Sequence, residues 1–430
     1  MPDYETLRRE IKTKTQNSLD FRRDFSDEEV KEVIDRVFLE TREISLLSVK
    51  ERRQLNKEVF DSLRRLDILQ EFVDDPSVTE IMINGPDNVF VERAGKLNKI
   101  AQRFESEEKL RDVIQQIVAG CNRVVNEASP IVDARLVGGA RVNIVMNPIA
   151  LNGPIVTIRR FPDKPITMDD LETTGSITAE AAEFLRLLVR AKYNIFISGG
   201  TGSGKTTFLN VLSSFIPGDE RVITIEDSAE LQLQGIENLV RLETRNSNVE
   251  GCGEITIRDL IRSSLRMRPD RIIVGEVRGA EAVDMLQCLN TGHDGSMSTG
   301  HANSARDMLT RLENMVLMGA ELPLAAIRQQ IASGLDIIVH LGRLRDKSRK
   351  VLEISEVLGY ENGEVVTKEL FGFEEQGSSL EGKVIGKLIR KEKLCETGKL
   401  KSAGISEKEV NEWKGPTEIP GLSPSKLEKG

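Results

Sequence analysis

The stretch Ile195-Phe196-Ile197-Ser198-Gly199-Gly200-Thr201-Gly202-Ser203-Gly204-Lys205-Thr206-Thr207 decides how this sequence is read. It starts as a short apolar strand, turns through glycines, and enters a helix carried by Phe208, Leu209, Val211 and Leu212. Gly199, Gly204, Lys205 and Thr206 satisfy the G-x-x-x-x-G-K-[ST] spacing of a phosphate-binding loop. Glycines let the backbone curl until its N–H groups converge on an anion. The start of the following helix adds its positive dipole end. Residues 199–207 are therefore expected to cradle the phosphates of ATP or GTP. Lys205 would reach the β- and γ-phosphates, and the Thr206 hydroxyl would ligate Mg²⁺.

At 430 residues the chain has room for two or three domains and a large core. Charged residues make up 30% and the formal net charge is −9, which disfavours wholesale nucleic-acid binding. No apolar run reaches the ~18 residues of a membrane span, and Met1-Pro2-Asp3-Tyr4-Glu5 lacks an apolar signal segment. Cys121, Cys252, Cys288 and Cys395 include no C-x-x-C pair, so neither a zinc ribbon nor a disulfide framework is expected. A cytoplasmic location follows as the expectation.

Residues 1–72 read as a charged helical segment. In Asp27–Glu43 the apolar set Val30, Val33, Ile34, Val37 and Phe38 marks one helix face, with Ser26 and Glu29 spaced as a capping box. A second helix is expected from Val49 to Phe72. Residues 73–162 read as a small α/β domain with strands at Val78–Ile83, Asn88–Arg93, Arg135–Val145 and Ile155–Arg160 and a helix over Glu107–Cys121. Two prolines make 161–165 a linker. Strands and helices then alternate through 166–372, which implies a mostly parallel sheet with ligands beyond its C-terminal strand ends. Leu352–Leu358 and Glu364–Leu370 are expected as an edge hairpin, and 373–430 as a polar, partly disordered tail.

Three segments could meet the phosphate loop. Arg271-Ile272-Ile273-Val274-Gly275-Glu276 is an apolar strand ending in an acid, the Walker B pattern; Glu276 there would polarise water or hold Mg²⁺ through water. Val222-Ile223-Thr224-Ile225-Glu226-Asp227 repeats the design, so Glu226 is a second candidate for both roles, and which of the two is the base stays open. Asn290–Ala302 places His293 and His301 among small residues, where either could sense the γ-phosphate by hydrogen bonding. Arginines to neutralise the developing oxyanion, in cis or from a neighbouring subunit, are Arg135, Arg141, Arg159 and Arg160 from the small domain and Arg241, Arg245 and Arg278 from the large one.

Together the loop Gly199–Thr206, the acidic box around Glu226, the Walker B segment Arg268–Arg278 and the His box Thr291–Ala302 resemble the ATPases of type II and type IV secretion and type IV pili. Leu265–Gly279 and the His box look most similar to tight-adherence (Tad/Flp) pilus assembly ATPases. The resemblance implies an α/β protein: a RecA-like P-loop ATPase domain preceded by a small PAS-like α/β domain and the helical segment. It also implies ATP and Mg²⁺ as cofactors and a homohexamer docked on an inner-membrane platform protein, peripheral to the inner face of the cell membrane. Its work would be pilus assembly or protein secretion. The alternatives are a retraction motor of the same superfamily and a RecA-like nucleic-acid translocase or helicase. Two positions depart from the family pattern: Lys347 stands where glycine is common, and Gly300 stands where a larger apolar residue is usual.

Overall fold

The computed structural model describes residues 4–19, 25–93, 95–121, 123–136, 138–160, 165–245, 253–379 and 382–412. Two compact units emerge, Met1–Lys164 and Pro165–Gly430. Most of the expected linker (161–164) and the end of the expected tail (413–430) lie outside the described residues.

In the first unit, α1 (Tyr4–Ser18), α2 (Asp27–Glu40) and α3 (Val49–Arg64) bury Ile11, Ile34, Leu55 and Val59 against one another. The predicted capping box is present, with Glu29 N–H donating to Ser26 and Ser26 N–H donating to Glu29. The helix expected through Phe72 breaks earlier: Arg65 is extended and Asp67 takes φ 52°, before α4 (Gln70–Asp74) resumes.

β1 (Val78–Asn84), β2 (Val89–Arg93), β3 (Lys96–Lys99), β4 (Ile131–Arg135), β5 (Arg141–Val145) and β6 (Ile155–Arg159) make an antiparallel sheet ordered β3-β2-β1-β6-β5-β4. Its alternating apolar residues, among them Ile81, Ile83, Val142 and Val156, bury one face beneath Val113, Ile114 and Ile117 of α5 (Glu107–Gly120). The single strand expected over 135–145 is in fact two, because the chain turns between Leu136 and Ala140, whose N–H···O bond closes the turn. β3 is exposed throughout and holds one apolar residue, Leu97, so it left no apolar alternation to read.

The second unit opens with α6 (Met168–Thr173) and α7 (Ala179–Arg190). There follow β7 (Ile195–Gly199), α8 (Lys205–Ser213), β8 (Arg221–Glu226), β9 (Asn238–Glu243), α9 (Ile257–Ser264), β10 (Arg271–Val274), α10 (Ala282–Leu289) and β11 (Met297–Gly300). Then come α11 (Ala305–Gly319), α12 (Leu324–Gly334), β12 (Ile337–Arg343), β13 (Arg349–Glu361), β14 (Glu364–Ser378), β15 (Val384–Arg390), α13 (Gly398–Ser402) and α14 (Glu407–Asn411).

One sheet runs β15-β14-β13-β12-β7-β11-β10-β8-β9. Pairing is parallel from β12 to β9 and antiparallel from β12 to β15. Separate apolar clusters cover its two faces, which is why β7 and β10 are continuous apolar runs rather than alternating ones. This is a RecA-like arrangement, with β11 inserted between the loop strand β7 and the Walker B strand β10.

The sheet does not end at Gly372. β14 continues to Ser378, β15 forms the edge in place of the expected hairpin, and Leu388, Leu394, Leu400 and Val410 join the core. Sparse apolar residues at wide spacing are enough to dock this segment once a sheet edge is there to receive it.

Candidate functional site

The phosphate loop joins β7 to α8. A Cβ on Gly199 would stand 2.5 Å from Leu341 O and from Ser203 Oγ, so only glycine fits. Gly204 caps α8 at φ 95°, a conformation that carries a side chain poorly. Lys205 begins the helix with its amine turned back to donate to Gly200 O at 3.1 Å. It is 8% exposed, and burial lowers its pKa while the charge of Glu276 opposes that shift.

Sheet register brings the other boxes to this point. Gly300 pairs with Ser198, so His301 emerges beside the loop. Val277 N–H donates to Thr299 O and Thr299 Oγ1 donates to Gly275 O at 2.8 Å, so Glu276 emerges beside His301. Lys205 Nζ is 3.3 Å from His301 Nδ1, and His301 Nε2 is 2.8 Å from Glu276 Oε1, although that oxygen has no hydrogen bond of acceptable angle. An ammonium facing Nδ1 requires that nitrogen to accept, which leaves the imidazole proton on Nε2, toward Glu276. Burial and the Lys205 charge lower the His301 pKa, in keeping with a neutral ring. The other Glu276 oxygen is 2.6 Å from Arg278, whose guanidinium also reaches Asp227 at 3.6 Å.

Glu226 is placed differently. It is 3% exposed, and its Oε1 accepts from the N–H groups of Glu230 and Leu231 at 2.8 and 2.9 Å. Its Oε2 is buried without a hydrogen bond among the described residues. Burial pushes its pKa up to about 7, against the lowering effect of the two amides and Arg241.

His293 is not brought to the loop. It lies before β11, near Cys288 O and Thr291, while Gly295 N–H bonds to Asn194 ahead of β7. That is the opposite end of a four-residue strand, about 13 Å from His301. Arg241 donates to Leu231 O and Arg245 to Gly253 O.

In the first unit Arg135, Arg141 and Arg159 are register partners across β4, β5 and β6. Arg135 donates to Gly139 O, Arg141 stands 3.9 Å from Asp133, and Arg159 pairs with Glu80 at 2.9 Å. Arg160 donates to Asp75 O and Val78 O. Gly300 leaves no gap: a Cβ there would meet Met308 and Phe196 at 3.0 Å.

Mg²⁺ retains several waters and takes one or two protein oxygens plus substrate phosphates. The Thr206 hydroxyl at the loop, the Glu276 carboxylate between His301 and Arg278, and the Glu226 oxygen without a hydrogen bond suit that donor set. Among the described residues no three His, Cys, Asp or Glu side chains converge as a self-sufficient metal cage.

The type II/IV secretion system protein family matches residues 63–395. The chain belongs to that family. With its phosphate loop and strand-end acid, this family member is an ATPase. A putative conjugal transfer protein of Mycobacterium tuberculosis is 37% identical over 296 residues, 67% of this chain and 83% of the relative. Conjugal transfer protein TrbB of Rhizobium radiobacter is 34% identical over 334 residues, 77% of this chain and 98% of the relative. Among solved structures, the VirB11 ATPase of the Brucella suis type IV secretion system is 32% identical, covers 66% of this chain and 94% of its own, and superposes with a TM-score of 0.37.

Sequence reasoning passed over the basic turn after β12. Arg349 Nε donates to Gly202 O at 2.9 Å, and Arg343 Nη1 stands 3.8 Å from where a Gly202 Cβ would be. The signal was present in Arg343-Leu344-Arg345-Asp346-Lys347-Ser348-Arg349-Lys350, of which only Lys347 was singled out. His340, whose Nδ1 is 2.9 Å from Ser198 Oγ, was also not singled out.

Proposed function

We propose that this chain is a homohexameric motor ATPase that couples ATP hydrolysis to pilus assembly or protein secretion. In this reading it docks from the cytoplasm on an inner-membrane platform protein. The observation that carries it is the contiguous Lys205–His301–Glu276–Arg278 series at the phosphate loop. Glu276 draws a proton from the attacking water, and His301 links that carboxylate to the γ-phosphate end of the loop through Lys205. Thr206 would hold Mg²⁺, with Glu276 and Glu226 as further oxygen donors; the ion would neutralise charge on the phosphates. Glu226 holds the 227–231 segment in place beside Gly275.

Conjugal transfer and type IV secretion names among the relatives support export, and the likeness of Leu265–Gly279 to tight-adherence ATPases supports pilus assembly. No helix among the described residues is long and apolar enough to cross a membrane, in keeping with peripheral docking.

Turnover measured across a protein dilution series alongside sedimentation tests the reading. Activity per chain should rise with the hexamer fraction, and Lys205→Ala should abolish it. A fully active monomer would refute the ring, and near-normal turnover in Lys205→Ala would refute the site.

A further inference from the structure

β12 is buried along Ile337–Leu341, and four of those five residues are aliphatic. The fifth is His340, which is 7% exposed. Strand alternation puts its ring on the face of Ile338 and puts the Ser198 hydroxyl of β7 on the face of Phe196. Ile338 and Phe196 belong to the same apolar cluster. Packing alone does not call for an imidazole there, because an aliphatic side chain would fill the place without burying polar atoms.

Two hydrogen bonds offset that burial. Nδ1 is 2.9 Å from Ser198 Oγ, and the ring's other partner is the backbone of Asn303. A carbonyl only accepts, so the ring proton sits on Nε2, and Nδ1 accepts from the Ser198 hydroxyl. Burial lowers the pKa of the ring against the Asp307 charge and the Asn303 bond, in keeping with a neutral imidazole.

Both partners belong to the site. Ser198 is the residue before the phosphate loop, and it has His340 as register partner on one side and Gly300 on the other. Asn303 lies two residues beyond His301 and just before Ser304, the N-cap of α11. One ring is therefore tied to the stem of the loop and to the segment that carries His301. Those two pieces must meet for Lys205 Nζ to stand 3.3 Å from His301 Nδ1.

We infer that His340 is a positioning residue for turnover: by holding Ser198 and Asn303 on one ring, it sets His301 against Lys205 and Glu276. The inference rests on the ATPase reading and adds to it a buried residue that acts from beneath the site.

His340→Leu removes both hydrogen bonds and leaves an apolar side chain in the gap. In the full chain it should lower kcat about 10- to 100-fold, while KM for ATP and the affinity for ADP stay within about twofold, because the loop amides still grip the phosphates. His340→Gln can accept from Ser198 and donate to Asn303, so it should recover most of kcat. In a His301→Ala background, His340→Leu should cost less than about twofold more, since its effect runs through His301. A His340→Leu kcat close to that of the unmodified chain, a His340→Gln variant as slow as His340→Leu, or full additivity with His301→Ala each overturns the inference. Ser198→Ala deletes one of the two bonds with little change of volume. It should lower kcat about 3- to 10-fold at unchanged KM, and an unchanged kcat overturns the inference even if His340→Leu fails to fold. Absence of turnover in the unmodified chain sinks the ATPase reading and this inference together. Normal kcat in His340→Leu beside an inactive Lys205→Ala sinks this inference alone.

Discussion

The tips of β8 and β10 were built from one design, an apolar strand ending in glutamate, yet they became different things. Glu226 is 3% exposed and spends an oxygen on two backbone amides. The Glu276 side chain is 21% exposed and meets His301 and Arg278. Strand order explains the difference. β10 lies two strands from β7, roughly 10 Å, whereas β8 lies three away, roughly 14 Å. Two identical local signals therefore acquired different chemistry from their column in the sheet. In the proposed mechanism Glu276 handles water, whereas Glu226 holds backbone.

The largest effect that could break this contrast is on turnover. Glu276→Gln should lower kcat by about 10²–10⁴-fold with ATP affinity largely kept. An equal loss in Glu226→Gln would show that both tips act on water.

Next comes pH. Burial raises Glu226 from an unfolded value of 4.5 to about 7, so folding favours its protonated form. The associated stability is fully present below pH 4.5 and is lost as pH rises through about 7, by roughly 3 kcal/mol at most. Urea titrations of wild type and Glu226→Gln between pH 5 and 8 should diverge, with wild type falling behind as pH rises. Parallel curves would place Glu226 in a wetter setting.

Glu226→Ala strands two amide donors and should cost about 1–3 kcal/mol in the same titration. The smallest effect tests the other wall of the loop. Lys347 holds φ 68°, so Lys347→Gly should raise stability by about 0.5 kcal/mol, read as a slightly higher Tm.

The central boxes were legible because each is local. The strand–loop–helix at 195–213, the apolar strands ending at Glu226 and Glu276, and the capping box at Ser26 can all be recognised within a dozen residues. The break at Arg65 and Asp67, the exposed strand β3 and the ordered segment after Ser378 were not, since nothing in their own composition demands those conformations. His293 shows the limit most plainly. It shares a short segment with His301, and a four-residue strand carries the two to opposite ends of the sheet.

Residues 195–207 by themselves determine a glycine-rich turn between a strand and a helix, suited to grip an anion. Glycine spacing and one lysine suffice, because backbone amides do the binding. Which acid faces water, which histidine reaches the lysine, and which arginines overlie the loop were decided only when β11 was inserted between β7 and β10 and β13 folded back along β12. Those choices depend on register between strands distant in sequence, which the packing of both buried faces of the sheet sets rather than the residues on any one strand.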